Sequence, residues 1–289
     1  MTADQAQKLV DRARQRLRTA TLTKGTLLVA AALALGGFGR GVFAAPDADF
    51  VVLMGVGATW LALAMRASRS LRQIASAGHM AGSGRIDLAA SALAAVATEF
   101  AAFRGPRLLA LQNLAALAHA AGRFGAAARI SEWLVRHGRS SAKGFEVRNR
   151  LVLADSVLML GNLSGAYDQL QWLHAADLTE ADQFAVLPTA CYYEVAVGRW
   201  DCLAAAAKAR AARAVLLPAP QAAATLGCLA LGMQNLQRPD CRDWLWTQAL
   251  LLIDRDAVVS RFPLLAPLPA GPAWSFPWES ECPAPGEQA

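Results

Sequence analysis

The four histidines, His79, His119, His137 and His174, are the first residues to weigh for metal or proton chemistry. No two have metal-ligand spacing, and neither an HExxH motif nor a Cys/His cluster occurs. The five cysteines, Cys191, Cys202, Cys228, Cys241 and Cys282, form no CxxC pair. Their odd number argues against a disulfide framework and fits a reducing compartment. Cys191 and Cys202 fall on opposite helices of one expected hairpin, where buried packing is their expected role. Gly82-Ser83-Gly84 is followed by no Gly-Lys-Ser or Gly-Lys-Thr, so it is not a phosphate loop. Gly36-Gly37 with Gly39 lies in an apolar run with no strand before it, so a dinucleotide fingerprint is excluded. No nucleophile, base and orienting group can be assembled. The chain therefore reads as a non-enzyme, with no catalytic residue, cofactor or metal expected.

Charge is unevenly placed. The chain has 289 residues, a net charge of +6 and 55% hydrophobic residues, with only 17% charged. From Arg104 to Arg150 nine bases face only Glu132 and Glu146, whereas acids dominate from Leu151 to Asp256. Such a gradient steers an acidic partner or faces anionic lipid, or it is a solvated helix surface. Phe124, Trp133 and Phe145, the aromatics among those arginines, fall at packing positions, so no nucleic-acid partner is expected.

The elements that must carry these residues are helices. Alanine dominates and no segment keeps a period of two. Gly84, Gly122, Gly161 and Gly198 are spaced 38, 39 and 37 residues apart, each between two apolar helical stretches. A period in this range predicts stacked helical hairpins. The motif Leu114-Ala115, Gly122, Phe124, Ala127 recurs as Leu153-Ala154, Gly161, Leu163, Ala166. It recurs again as Ser76-Ala77, Gly84, Ile86, Ala89, and as Ala190-Cys191, Gly198, Trp200 with Leu203 in the last place. A fifth unit, about 221–253, keeps the pattern without the glycine, and Pro239 marks its turn. This grammar resembles the tetratricopeptide repeat over roughly residues 68–253, with a period several residues longer than the family's. The resemblance implies a superhelix whose groove binds peptides or helices of partner proteins.

Ahead of the repeats, residues 27–45 and 50–65 are apolar and would reach about 28 and 24 Å as helices, near the ~30 Å of a bilayer core. Pro46-Asp47-Ala48-Asp49 reads as a tight turn between them. Bases precede the first run and follow the second, which by the positive-inside rule leaves both termini cytoplasmic. Arg40 lies near the outer end of the first run and would snorkel. Two other readings stay open: a cleaved signal peptide ending near Val42-Phe43-Ala44, and two buried core helices. Residues 1–20 are amphipathic, with Ala6, Leu9, Val10, Ala13 and Leu17 on one face, suited to an anionic inner leaflet or to a solvated helix.

After Phe262 seven prolines are interleaved with Trp274, Phe276 and Trp278. This segment either caps the last hairpin over 262–278 or docks on a partner.

The expected fold is all-α. A basic segment over 1–24 leads to a two-helix transmembrane hairpin over 25–66. A tetratricopeptide-like α-solenoid of four or five hairpins covers 67–257, and a proline- and aromatic-rich tail covers 258–289. The expected function is a scaffold that recruits or assembles a protein complex at the cytoplasmic face of a bacterial inner membrane. Its partners would be a protein in the solenoid groove and the bilayer through 25–66. The helix A side is the expected binding surface, with Arg107, Asn113, Arg148 and Asn149 as candidates. The alternatives are a subunit of a larger integral membrane complex whose hairpin is the functional element, and an exported chaperone-like domain.

Overall fold

The computed structural model describes residues 1–38, 46–99, 103–138 and 143–271. Among these residues the chain is all-helical, with thirteen α-helices, one short 3-10 turn and no strand. They are α1 (Ala3–Phe38), α2 (Pro46–Gly82), α3 (Ile86–Thr98), α4 (Arg104–Ala120), α5 (Phe124–His137), α6 (Lys143–Met159) and α7 (Leu163–Ala175). There follow α8 (Glu180–Val197), α9 (Trp200–Ala205), α10 (Ala207–Ala214), α11 (Ala219–Asn235), α12 (Pro239–Leu252) and α13 (Arg255–Arg261).

The glycine ladder is a ladder of helix stops. Gly84, Gly122, Gly161 and Gly198 have φ of 80, 71, 78 and 75°, and they are the described glycines with positive φ. At each, the next residue's N–H reaches five residues back: Arg85 to Met80, Arg123 to Ala118, Asn162 to Val157 and Arg199 to Glu194. The glycine's own N–H reaches three residues back. This bond pair satisfies the orphan carbonyls of the ending helix and requires a left-handed residue, which glycine adopts without a Cβ clash. A fifth stop repeats the pattern without glycine. Gln237 takes φ 57°, and Arg238 N–H reaches Met233 O at 2.9 Å.

Small side chains recur at fixed distances from each stop, and in the α2–α3, α4–α5 and α8–α9 pairs they sit between packed helices. Ala77, Ala115, Ala154 and Cys191, each seven residues before a ladder glycine, are fully buried. So are Ala89, Ala127, Ala166 and Leu203, each five residues after one. The leucine in the fourth position is matched across the interface. A Cβ placed on Gly232 of α11 would stand 3.1 Å from Leu203 Cβ.

The chain divides into two compact units, Met1–Ser156 and Val157 onward. In the first, α1 packs on α2, α3 and α5, and α4 packs on α3 and α5. Ala6, Val10 and Ala13 of α1 join the core with Leu93, Leu111, Leu114 and Ile130. The apolar face of the basic amino-terminal stretch is thus spent on protein packing. In the second unit α11 is central, with every residue from Ala222 to Met233 buried, as befits a helix apolar all round. Asn162 and Thr179 cap α7 and α8 by accepting from Gly165 N–H and Asp182 N–H. The chain after α13 folds back, burying Leu265 and Leu268, and Pro269 O accepts from Trp246 Nε1 at 2.9 Å. Trp274, Phe276 and Trp278 lie outside the described residues.

The transmembrane hairpin expected over 25–66 is not found. Among the described residues no helix is long and apolar enough to cross a membrane. α1 is continuous from the basic start into the first apolar run, which is described as far as Phe38. α2 is continuous from Pro46 through Arg66, Arg69 and Arg72 into the first repeat, leaving 16 residues from Phe50 to Met65. The α2 run is about 24 Å long, short of a ~30 Å core. Pro46–Asp49 is the first turn of α2 rather than a loop. Proline and aspartate serve both roles, because the first helical turn needs no proline N–H and favours negative charge. Residues 39–45, with Arg40, lie outside the described residues.

Candidate functional site

The four residues expected on a binding surface divide evenly. Arg148 is exposed and Asn113 half-buried. Arg107 is fully buried on the core stripe of α4 that holds Leu111, Leu114 and Ala118. Its Nη2 donates to Glu99 O at 2.7 Å, while Nε and Nη1 have no partner among the described residues. Desolvation, with the nearby Arg16, lowers its pKa from the usual guanidinium value. Asn149 is buried and donates Nδ2 to Phe145 O at 2.8 Å. Gln112 Nε2 donates to the same carbonyl at 3.2 Å, tying α4 to α6. Arg107 and Gln112 therefore tie neighbouring elements together, Asn149 bonds within its own helix, and neither Arg107 nor Asn149 is available at the surface.

The other polar residues also serve the fold. Arg123 pairs with Asp87 at 3.0 Å, and Arg136 and Arg150 pair with Glu132 and Glu146 one turn away. His119 Nε2 stands 3.6 Å from Asp155 Oδ2, and the His137 ring stacks on Trp133. In the second unit Arg210 grips Glu194 with two hydrogen bonds, Nη2 reaching Oε1 at 2.9 Å. Burial pushes the Cys191 thiol up to about 12, against the pull of Arg210, and raises Cys228 as well. These thiols stay protonated at neutral pH and are poor nucleophiles. Cys191, Cys202, Cys228 and Cys241 are free. No group of three or more His, Cys, Asp or Glu able to hold a metal occurs among the described residues.

Three surface features remain. A cleft of about 640 Å³ lies between α10 and α12 over α11, floored by Ala207, Ala211, Met233 and Leu245, with Lys208 and Asp240 on its rim. Trp244 forms one wall and is 52% exposed. A second, polar notch of about 460 Å³ lies against α2 and Glu99, lined by Arg66, Arg69, Gln73 and Met65. A smaller hollow of about 210 Å³ lies between α7 and α8, beside the tilted rings of Tyr167 and Tyr193. The larger cleft and the hollow were illegible in sequence because each is made by residues from separate helices. The lone hint was Trp244, a large aromatic two residues from the buried Trp246 and thus on another side of α12.

Comparison with protein-family models, with curated proteins and with solved structures found no match.

Proposed function

We propose that this chain is a protein-interaction scaffold of tetratricopeptide-like helical hairpins, and that the cleft between α10 and α12 seats an amphipathic helix of a protein partner. The observation that carries the reading is the apolar cleft with an exposed tryptophan wall. Val215 and Leu216, at 75% and 70% exposed, stand at the end of α10. Exposed tryptophan beside an apolar floor is the composition of an interaction hot spot. Lys208 and Asp240 on the rim supply opposite charges that would fix the direction of a bound helix. The recurring helix stops and small interface residues support the repeat reading, which makes extended binding surfaces from rigid hairpins.

The test is affinity purification of the tagged full chain in mild detergent, read by native mass spectrometry. A second polypeptide is expected at fixed stoichiometry, reduced about tenfold by Trp244→Ala and unchanged by Arg148→Ala or Asn113→Ala. Loss on Arg148→Ala with survival of Trp244→Ala would move the seat to the first unit. Absence of any stoichiometric polypeptide would overturn the scaffold reading.

A further inference from the structure

One face of α2 changes character along its length. Val51, Met54, Leu61 and Met65 are 67, 60, 60 and 51% exposed. At 100° per residue these four fall within a sector of about 80°, and Arg69 and Arg72 continue the same sector. From Val51 to Gly82 α2 carries no acidic residue. The apolar half of this stripe thus runs directly into a cationic half. The polar notch lies at that junction, with Met65 and Ala62 on its apolar side and Arg69 and Gln73 on the other. Arg66 closes it through its 3.0 Å pair with Glu99. On another side of α2, Trp60 meets Phe103 edge-on at 5.6 Å, and Lys24 of α1 lies 4.9 Å over the same Phe103 ring. On α1, Leu22 and Val29 are also more than half exposed and lie seven residues apart on one face of that helix.

We propose that this face dips obliquely into the surface of an anionic phospholipid bilayer, amino-terminal end of α2 first, with a lipid phosphate in the notch beside Arg69 and the acyl region against Val51, Met54 and Leu61. Charge complementarity selects the occupant. A protein groove would have to supply an apolar stripe ending in a matched cluster of acids, whereas an anionic bilayer presents that succession at every point of its surface. An interfacial helix needs an apolar face and flanking cations rather than the length to cross. The contact is independent of the cleft between α10 and α12.

The test is flotation of the full chain with vesicles of equal parts phosphatidylglycerol and phosphatidylcholine, against vesicles of phosphatidylcholine alone. Strong flotation is expected on the first and about tenfold weaker partition on the second. Arg69→Glu with Arg72→Glu should erase the difference, and Leu61→Glu with Met65→Glu should abolish flotation on both. Leu251→Glu, at an exposed leucine of α12, and Trp244→Ala should float as the wild type. All these positions are exposed, so unchanged circular dichroism and melting midpoint are required of each variant. Equal partition on both vesicles, no flotation, or wild-type flotation of the α2 variants would overturn the proposal. Loss of flotation in Trp244→Ala would overturn the independence of the two surfaces.

Discussion

Trp246, almost wholly buried on α12, donates its indole N–H to the carbonyl of Pro269 at 2.9 Å. The bond fastens a proline-rich segment that no helix could hold. Leu265 and Leu268 fill the space beneath it, and Arg255 Nη2 donates to Ala266 O at 3.1 Å from the other side. Trp246→Phe keeps most of the apolar volume and leaves that carbonyl without its donor. It should cost about 1 kcal/mol, read as a lower urea midpoint at unchanged slope. Truncation after Arg261 should cost several times more, because two buried leucines leave with it. An unchanged midpoint on truncation would show that the segment seals nothing.

Gln237 occupies the left-handed position that glycine holds at the four other helix stops. It is exposed, so its side chain contributes little to hold that conformation. Gln237→Gly should stabilise by about 1 kcal/mol, the cost of a left-handed backbone for a residue with a Cβ. The reverse change, Gly122→Ala, meets no neighbour within 4 Å and should destabilise by a similar amount through the backbone alone. Thermal melts of both variants, read as paired shifts of opposite sign, check the point.

Leu203 and Gly232 are a size-matched pair across the α9–α11 contact. Leu203→Ala should cost about 2–5 kcal/mol through the cavity it leaves. Gly232→Ala should cost roughly 1 kcal/mol, because the added methyl meets Leu203 Cβ and outweighs the gain in helix propensity. The double variant should be less destabilised than the two single costs together, with a coupling above about 0.5 kcal/mol. Strict additivity in denaturant titrations would refute the pairing.

The buried thiols predict a pH window. Cys191 ionises near 12 in the fold, against an ordinary thiol value of 9.0. A folded pKa above the unfolded one gives stability that is complete below pH 9 and lost as pH rises toward 12. The urea midpoint should therefore fall between pH 8 and pH 10.5, and less steeply in Cys191→Ala. In a Cys282→Ser background at pH 8, a maleimide should label exposed Cys241 first and leave Cys191 and Cys228 unmodified until denaturant is added.

Where the backbone demanded one residue type, the fold was legible. The four glycines could be read as helix stops because a left-handed stop favours glycine, and the motif alanines Ala115, Ala127, Ala154 and Ala166 are all fully buried. The fifth stop was placed by Pro239, but its left-handed residue was hidden, since Gln237 carries no mark of its conformation. Arg107 and Asn149 are surface residue types standing at core positions of their helices. Arg107 is in phase with Leu111 and Leu114, and Asn149 with Leu153 and Ser156. The transmembrane reading failed for a related reason. Pro46–Asp49 suits a break between two spans and a first helical turn alike, and in the fold α2 begins there and runs on to Gly82. The cleft by Trp244 depends on three helices meeting, which no local pattern encodes.

The continuity of α1 has a mechanical meaning. Its 36 residues form a rod about 54 Å long. Ala6, Val10 and Ala13 clamp one part of the rod in the core, while Leu22 and Val29 stand in the open farther along. A load on that part would reach α3 and α5 along one unbroken helix rather than through a loop. Attachment and alignment of the first unit are then a single event, and a glycine pair inserted between Ala20 and Leu22 would uncouple them.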